Sequence, residues 1–181
     1  MKTLFILFTA ALLAGCQAMP TLRDTVGGGY VDLTGATLEL HRALPIAAGR
    51  ARVFVQDGAV TAGFDHYRTH CAFEIRGVDH DAVSIEPDAF RIAHVQQSLQ
   101  QVVDASDPAA HQFAALAWLA GMDGDGSSSY YLGYHFTLYS ARQPEVMRMT
   151  CYGAYQEPYD LEAPTLGEIR TALGDLATIV R

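Results

Sequence analysis

The sequence predicts a mainly β domain, an antiparallel β-sandwich or open barrel of about seven or eight strands, with one amphipathic α-helix at its C-terminal end. Three observations carry this. Between Gly35 and Tyr155 apolar residues recur mostly at every second position, the period of half-buried strands. Short Gly-, Pro- or Asp-containing stretches break these runs. After Pro164 the apolar spacing switches to three and four, the period of a helix.

Taken in order, Leu38 and Leu40 alternate in ATLELHR, and Val53 and Val55 in ARVFVQ, with a turn at Ala47-Ala48-Gly49 between them. In THCAFEIR, Cys71, Phe73 and Ile75 share one face, opposite His70, Ala72, Glu74 and Arg76. Val83-Ser84-Ile85 is a short strand, and Glu86-Pro87-Asp88 turns the chain into the alternating run Phe90 to Val95, which SLQQVV prolongs. YYLGYHFTLYS sets Tyr130, Leu132, Tyr134, Phe136 and Leu138 on one face. EVMRMTCYGAY sets Val146, Arg148, Thr150 and Tyr152 against Met147, Met149, Cys151 and Gly153, with Gln143-Pro144 as the hairpin turn before it. Two segments depart from this pattern. Pro108 to Gly121 is rich in Ala, with Phe113 and Trp118, and reads as helical; MDGDGSSS after it reads as a loop. At the end, Thr165 and Glu168 match a capping box, and Leu166, Ile169, Leu173, Leu176 and Val180 predict one helix continuing to the last residues.

The first residues speak to compartment. Lys2 precedes eleven apolar or small residues, Leu4 to Ala14, and Leu13-Ala14-Gly15-Cys16 ends the stretch. This is the pattern of a secretory signal rather than of a bilayer span. It resembles the signal of bacterial lipoproteins, in which an L-A-G-C lipobox is cut before the cysteine and the cysteine is then acylated. The resemblance implies residues 1–15 as signal peptide, Cys16 as the lipidation site and attachment to the membrane through lipid on Cys16. In that family an Asp after the cysteine commonly retains the protein at the inner membrane; Gln17 stands here, which implies the outer membrane, periplasmic face. Residues 16–29, with Pro20 and Gly27-Gly28-Gly29, form the lipidated cysteine and a flexible tether, and 30–181 a single periplasmic domain. Through THCAFEIR, MTCYG and PTLGEIRTALGDL the chain also resembles uncharacterised proteobacterial outer-membrane lipoproteins, a likeness that implies no activity.

With Cys16 committed to lipid, Cys71 and Cys151 remain as an even pair in an oxidising compartment, and a disulfide between them is expected. Two buried thiols or two metal ligands are the alternatives. Residues 16–181 carry eleven arginines, no lysine and 20 acids, a net charge of −9. That excludes nucleic acid as a partner, because no basic surface is left to neutralise phosphates.

The densest polar cluster is Asp65-His66-Tyr67-Arg68-Thr69-His70. A metal or catalytic centre using Asp65, His66 and His70 is the alternative function, although histidines four apart converge only on a helix. None of the sequences H-E-x-x-H, C-x-x-C, G-x-S-x-G or S-x-x-K occurs, and Asp123-Gly124-Asp125 lacks a carboxylate at the twelfth position of a calcium loop, where Tyr134 stands. No metal and no cofactor is therefore assigned. The main expectation is a non-enzymatic binding or accessory module for an envelope component. Tyr130, Tyr131, Tyr134 and Trp118 are its candidate partner surface, since tyrosine and tryptophan offer contact area with few rotamers.

Overall fold

The computed structural model describes residues 30–102 and 129–181. Cys16 and its signal, the tether, the Ala-rich segment with Trp118 and the loop at Asp123 lie outside the described residues. The chain forms β1 (Thr37–Leu40), β2 (Leu44–Ile46), β3 (Arg52–Gln56), β4 (Ala59–Thr61), β5 (His70–Ile75), β6 (Val83–Ile85), β7 (Asp88–Val102), β8 (Ser129–Tyr139) and β9 (Val146–Tyr152). Helix α1 (Leu166–Leu173), a 3-10 turn (Gly174–Leu176) and β10 (Ala177–Val180) follow. Eight strands pair antiparallel in the order β10-β1-β7-β8-β9-β5-β3-β4 and curl into a half-barrel, while β2 and β6 form a small second sheet.

The alternation explains which face closes on the core. Leu38, Val55, Phe73, Phe90, Phe136 and Met149 point into the half-barrel and are buried, as are Leu44, Ile46 and Ile85 of the small sheet. Each fully buried aliphatic or phenyl side chain contributes roughly 1.5–3 kcal/mol. Cys71 and Cys151 face each other in the β5–β9 register, wholly buried, and are joined by a disulfide. Two irregularities change which residues point inward. Between Ile92 and His94 the β7–β8 register shifts, so Phe90, Ile92 and Val95 all face the core although 95 breaks the even count. A second shift sets Ile75 opposite Val146 and Glu74 opposite Arg148, which corrects the grouping of Val146 with Arg148: Val146 is turned into the core.

The open side of the half-barrel is filled by α1. Thr165 Oγ1 accepts from the Glu168 N–H, and the Glu168 carboxylate accepts from the Thr165 N–H in return, a complete capping box. Leu166, Ile169, Ala172 and Leu173 are buried, and the helix packs against β3, β5 and β10. It does not continue to Val180 as its spacing suggested. Gly174, at φ +52°, ends it, and the chain turns into β10, which pairs in register with β1 from Thr37↔Val180 to Leu40↔Ala177. Ala177 and Ile179 are buried in strand alternation, and this ladder outweighs one more helical turn. The turn also needs glycine: a Cβ on Gly174 would lie 2.5 Å from the Cα of Gly58, in the tight β3–β4 turn, whose N–H donates to Ala172 O.

The β8–β9 turn is held by buried polar groups. Asp88 accepts from Ser140 Oγ and Gln143 Nε2, and Gln143 also bonds both backbone groups of Glu86. Burial pushes the Asp88 carboxyl up, but Ser140, Gln143, the Ala89 N–H and Arg142 outweigh it and hold the group below the usual carboxylate range.

Candidate functional site

The residues read as chemically suggestive collect on the second face of the central strands. Because Cys71 and Cys151 point into the barrel, their neighbours His70 and Tyr152 point out of it, opposite each other in register. Gly133 lies beside Tyr152 on β8 and Tyr131 one step further along the same face. Gly133 has no side chain for a reason: a Cβ there would sit 2.6 Å from Tyr152 Cδ1, so the tyrosine ring can lie across β8 only over glycine.

The segment between β4 and β5 folds over this face. Gln56 ties it down, its amide donating to Asp65 O at 3.0 Å and its carbonyl accepting from the Asp65 N–H at 2.9 Å. Phe64 then stacks on His70, ring centres 3.8 Å apart, and packs on Phe54. His66 Nδ1 bonds the Tyr131 hydroxyl, and Tyr131 meets His70 edge-on at 5.3 Å and Tyr152 at 5.8 Å. The result is a packed aromatic and imidazole layer on the outside of the sheet.

Burial sets the electrostatics of this layer. His70 is 3% exposed, and removal from water pushes its pKa down to about 4, against an opposing hydrogen bond to Arg68 O and with a further push from His66. The ring is therefore neutral at pH 7, and its Nδ1 donates to the Arg68 carbonyl at 3.2 Å. Burial likewise pushes the Tyr131 hydroxyl up to about 12, aided by Tyr155, Tyr67 and Asp65.

A polar chain continues from Tyr152. Arg148 donates from Nε and Nη2 to Glu74 Oε2 at 3.0 and 2.8 Å, and Thr150 donates to Glu74 Oε1. Arginine cannot accept, so its 3.4 Å contact with His135 Nδ1 makes that nitrogen the acceptor and leaves the ring proton on Nε2, which faces Tyr152 at 3.2 Å. Burial and the Arg148 charge hold the His135 pKa below the ordinary imidazole value, with Glu74 opposing.

Asp65, His66 and His70 do not converge on a common point. Asp65 Oδ1 accepts from the Tyr67 N–H, His66 turns Nδ1 to Tyr131, and His70 turns Nδ1 to a backbone carbonyl. Among the described residues no group of three or more His, Cys, Asp or Glu side chains is placed to hold a metal ion. The tyrosines singled out from sequence also separate. Tyr134 is 1% exposed in the core, where its hydroxyl accepts from the Val31 N–H, and Tyr131 is 4% exposed within the aromatic layer. Side chains so covered offer a partner no area, which corrects their assignment to a contact surface. Tyr130 is half-buried, its backbone bridged to Gln156, and Trp118 lies outside the described residues.

The exposed aromatic beside this layer is Tyr67, 71% exposed and edge-on to Tyr155. It borders an open cavity of about 370 Å³, lined also by Asp57, Arg68, Gln156, Glu162 and Thr171. Arg68 and Asp57 pair across it at 2.6 Å. Tyr67 is hard to single out from sequence because the histidines on either side of it carry the stronger chemical signal; its place in a polar segment is the available sign of exposure. The arrangement can present a shallow aromatic and polar surface, while the stacked histidines beneath keep that surface in shape. No protein-family model, curated protein or solved structure matches the chain.

Proposed function

We propose that this protein is a lipid-anchored domain on the periplasmic face of the outer membrane, acting as a non-enzymatic binding or accessory module for an envelope component. The observation that carries the reading is Leu13-Ala14-Gly15-Cys16 at the foot of an apolar stretch, followed by Gln17. A cysteine acylated there would hold the membrane, and residues 17–29 would give the domain reach from it. His70, His135, Glu74 and Tyr131 on the outer sheet face are taken up by partners within the protein, so the surface this reading offers an envelope component lies beside them, at the exposed Tyr67 and the cavity it borders. A metal or catalytic use of Asp65, His66 and His70 has less support, because their bonded atoms turn toward three different partners.

Mass spectrometry of the protein purified from membranes tests the anchor. The N-terminal peptide should begin at Cys16 and carry acyl chains, and Cys16→Ala should yield a precursor without lipid. A mature chain beginning elsewhere, or a variant equally lipidated, would overturn the assignment.

A further inference from the structure

A second groove, of about 820 Å³, runs along the outer end of β3 between the β2–β3 connection and β4. Pro45, Ala51, Phe54 and Val60 give it apolar walls, and Arg50 and Arg52, both exposed, stand on it. In a chain of net charge −8 these two guanidiniums form no ion pair among the described residues. Glu74 lies opposite Arg52 in register, but Arg148 and Thr150 take up its oxygens. The groove is thus a local positive site with apolar walls on an acidic protein.

The backbone beside the arginines is also open. Ala51 O accepts from Ile75 N and so faces β5; by strand alternation, the N–H and C=O of Arg52 face the opposite side. On that side β4 begins to pair only at Phe54↔Thr61, and past Thr61 the chain turns away, with the Thr61 hydroxyl bonded to Gly63. Among the described residues no strand lies against Arg52 there, and β4 is the edge of the described sheet.

We propose that this groove binds an extended acidic peptide, which adds as a strand beside Arg52 and sets carboxylates against Arg50 and Arg52. Residues two apart in a strand share a face about 6.7 Å apart, so a peptide with carboxylates at alternate positions can set one against Arg52 at the start of β3 and the next toward Arg50, which lines the same groove from the β2–β3 connection. The apolar walls take the intervening contacts. An apolar anion would satisfy the arginines but leave the strand edge unpaired, which is why a peptide is the better occupant. The inference rests on reading the domain as a binding module, and is independent of its lipid.

Fluorescence anisotropy tests it, with the full chain in neutral-detergent micelles and a labelled peptide of about eight alternating Val and Asp residues as probe. Saturable binding should weaken about tenfold or more in an Arg50→Ala, Arg52→Ala variant, whose thermal midpoint should be unchanged because both side chains are exposed. A Val-Lys peptide should not bind, and N-methylation of alternate residues should cost the Val-Asp peptide a similar factor. Absence of saturable binding up to about 1 mM, or equal affinity in the variant, would overturn the proposal. Undiminished binding of the N-methylated peptide would overturn strand addition in favour of recognition of a carboxylate on an apolar body. None of these outcomes alters the mass of the Cys16 peptide, so the anchor and the groove fail separately.

Discussion

Breaking the Cys71–Cys151 bond should remove a large share of the domain's stability. The two cysteines are 80 residues apart in sequence, and the bond closes that loop in the unfolded chain. For a loop of this size the loop-closure entropy is worth about 4.5 kcal/mol at 25 °C, against a net stability of about 5–15 kcal/mol for ordinary domains. Urea unfolding followed by circular dichroism measures it: with a slope of about 2 kcal/mol per M, the midpoint should fall by about 2 M. Two comparisons separate chain entropy from packing. A Cys71→Ala, Cys151→Ala variant leaves a small void between β5 and β9, whereas the reduced wild-type protein does not, and both should lose most of the same amount. Because both sulfurs are wholly buried, reduction in native buffer should proceed no faster than unfolding. A loss below about 1 kcal/mol in both samples would refute loop closure as the source and point to β5–β9 pairing that persists in the unfolded chain.

Acid should destabilise the domain through His70. Its folded pKa of about 4 lies below the ordinary imidazole value of 6.5, so the unfolded chain binds the extra proton between these values. The contribution is fully present above pH 6.5 and is lost as pH falls toward 4, by up to about 3 kcal/mol; His70→Phe, still able to stack on Phe64, should flatten the dependence of the urea midpoint on pH, and an unchanged slope would count against it. Gly174→Ala should cost about 2–3 kcal/mol, because φ +52° and the nearby Gly58 both resist a side chain, whereas Gly35→Ala, with open space around it, should show only the smaller conformational cost. Equal thermal midpoints for these two variants would refute the close-approach argument. Glu74→Gln should cost about 2 kcal/mol by removing the negative charge that two Arg148 donors meet, and should lower the His135 pKa, whereas Arg148→Met, which removes the positive neighbour, should raise it; NMR titration of the imidazole distinguishes them.

Much of the fold was legible because the strands obey one period. In THCAFEIR the alternation put Cys71 and Phe73 on one face and His70 and Glu74 on the other, and the sheet keeps that division. Thr165 and Glu168 announced the start of α1 because capping is local chemistry. The end of the helix was misread because Leu176 and Val180 continue its spacing by coincidence, while Ala177 and Ile179 alternate as a strand that only the distant β1 can stabilise. Gly174 was the local stop signal. Val146 was misplaced for a similar reason: a bulge adds a residue without marking the sequence. Strands β2 and β4, three residues each, were too short for a period to show. The site was less legible. The tyrosine-rich run was visible, but whether Tyr131 or Tyr67 meets solvent depends on the loop that Gln56 draws over β5, a contact no spacing encodes.

The pairing of β1 with β10 also governs when folding can finish. Thr37–Leu40 is the first strand of the described chain, yet one of its two neighbours is made from residues 177–180. As the polypeptide emerges in order, β1 has to wait with an unsatisfied edge until nearly the whole sequence has appeared. No shorter intermediate can fill the half-barrel either, since Leu166, Ile169 and Leu173 arrive just before that last strand. Such long-range closure slows folding and prolongs the exposure of apolar strands to aggregation. A fusion that blocks residues 177–180, or a truncation that removes them, should therefore lower the yield of folded protein even though nothing near Tyr67 or Arg52 has changed.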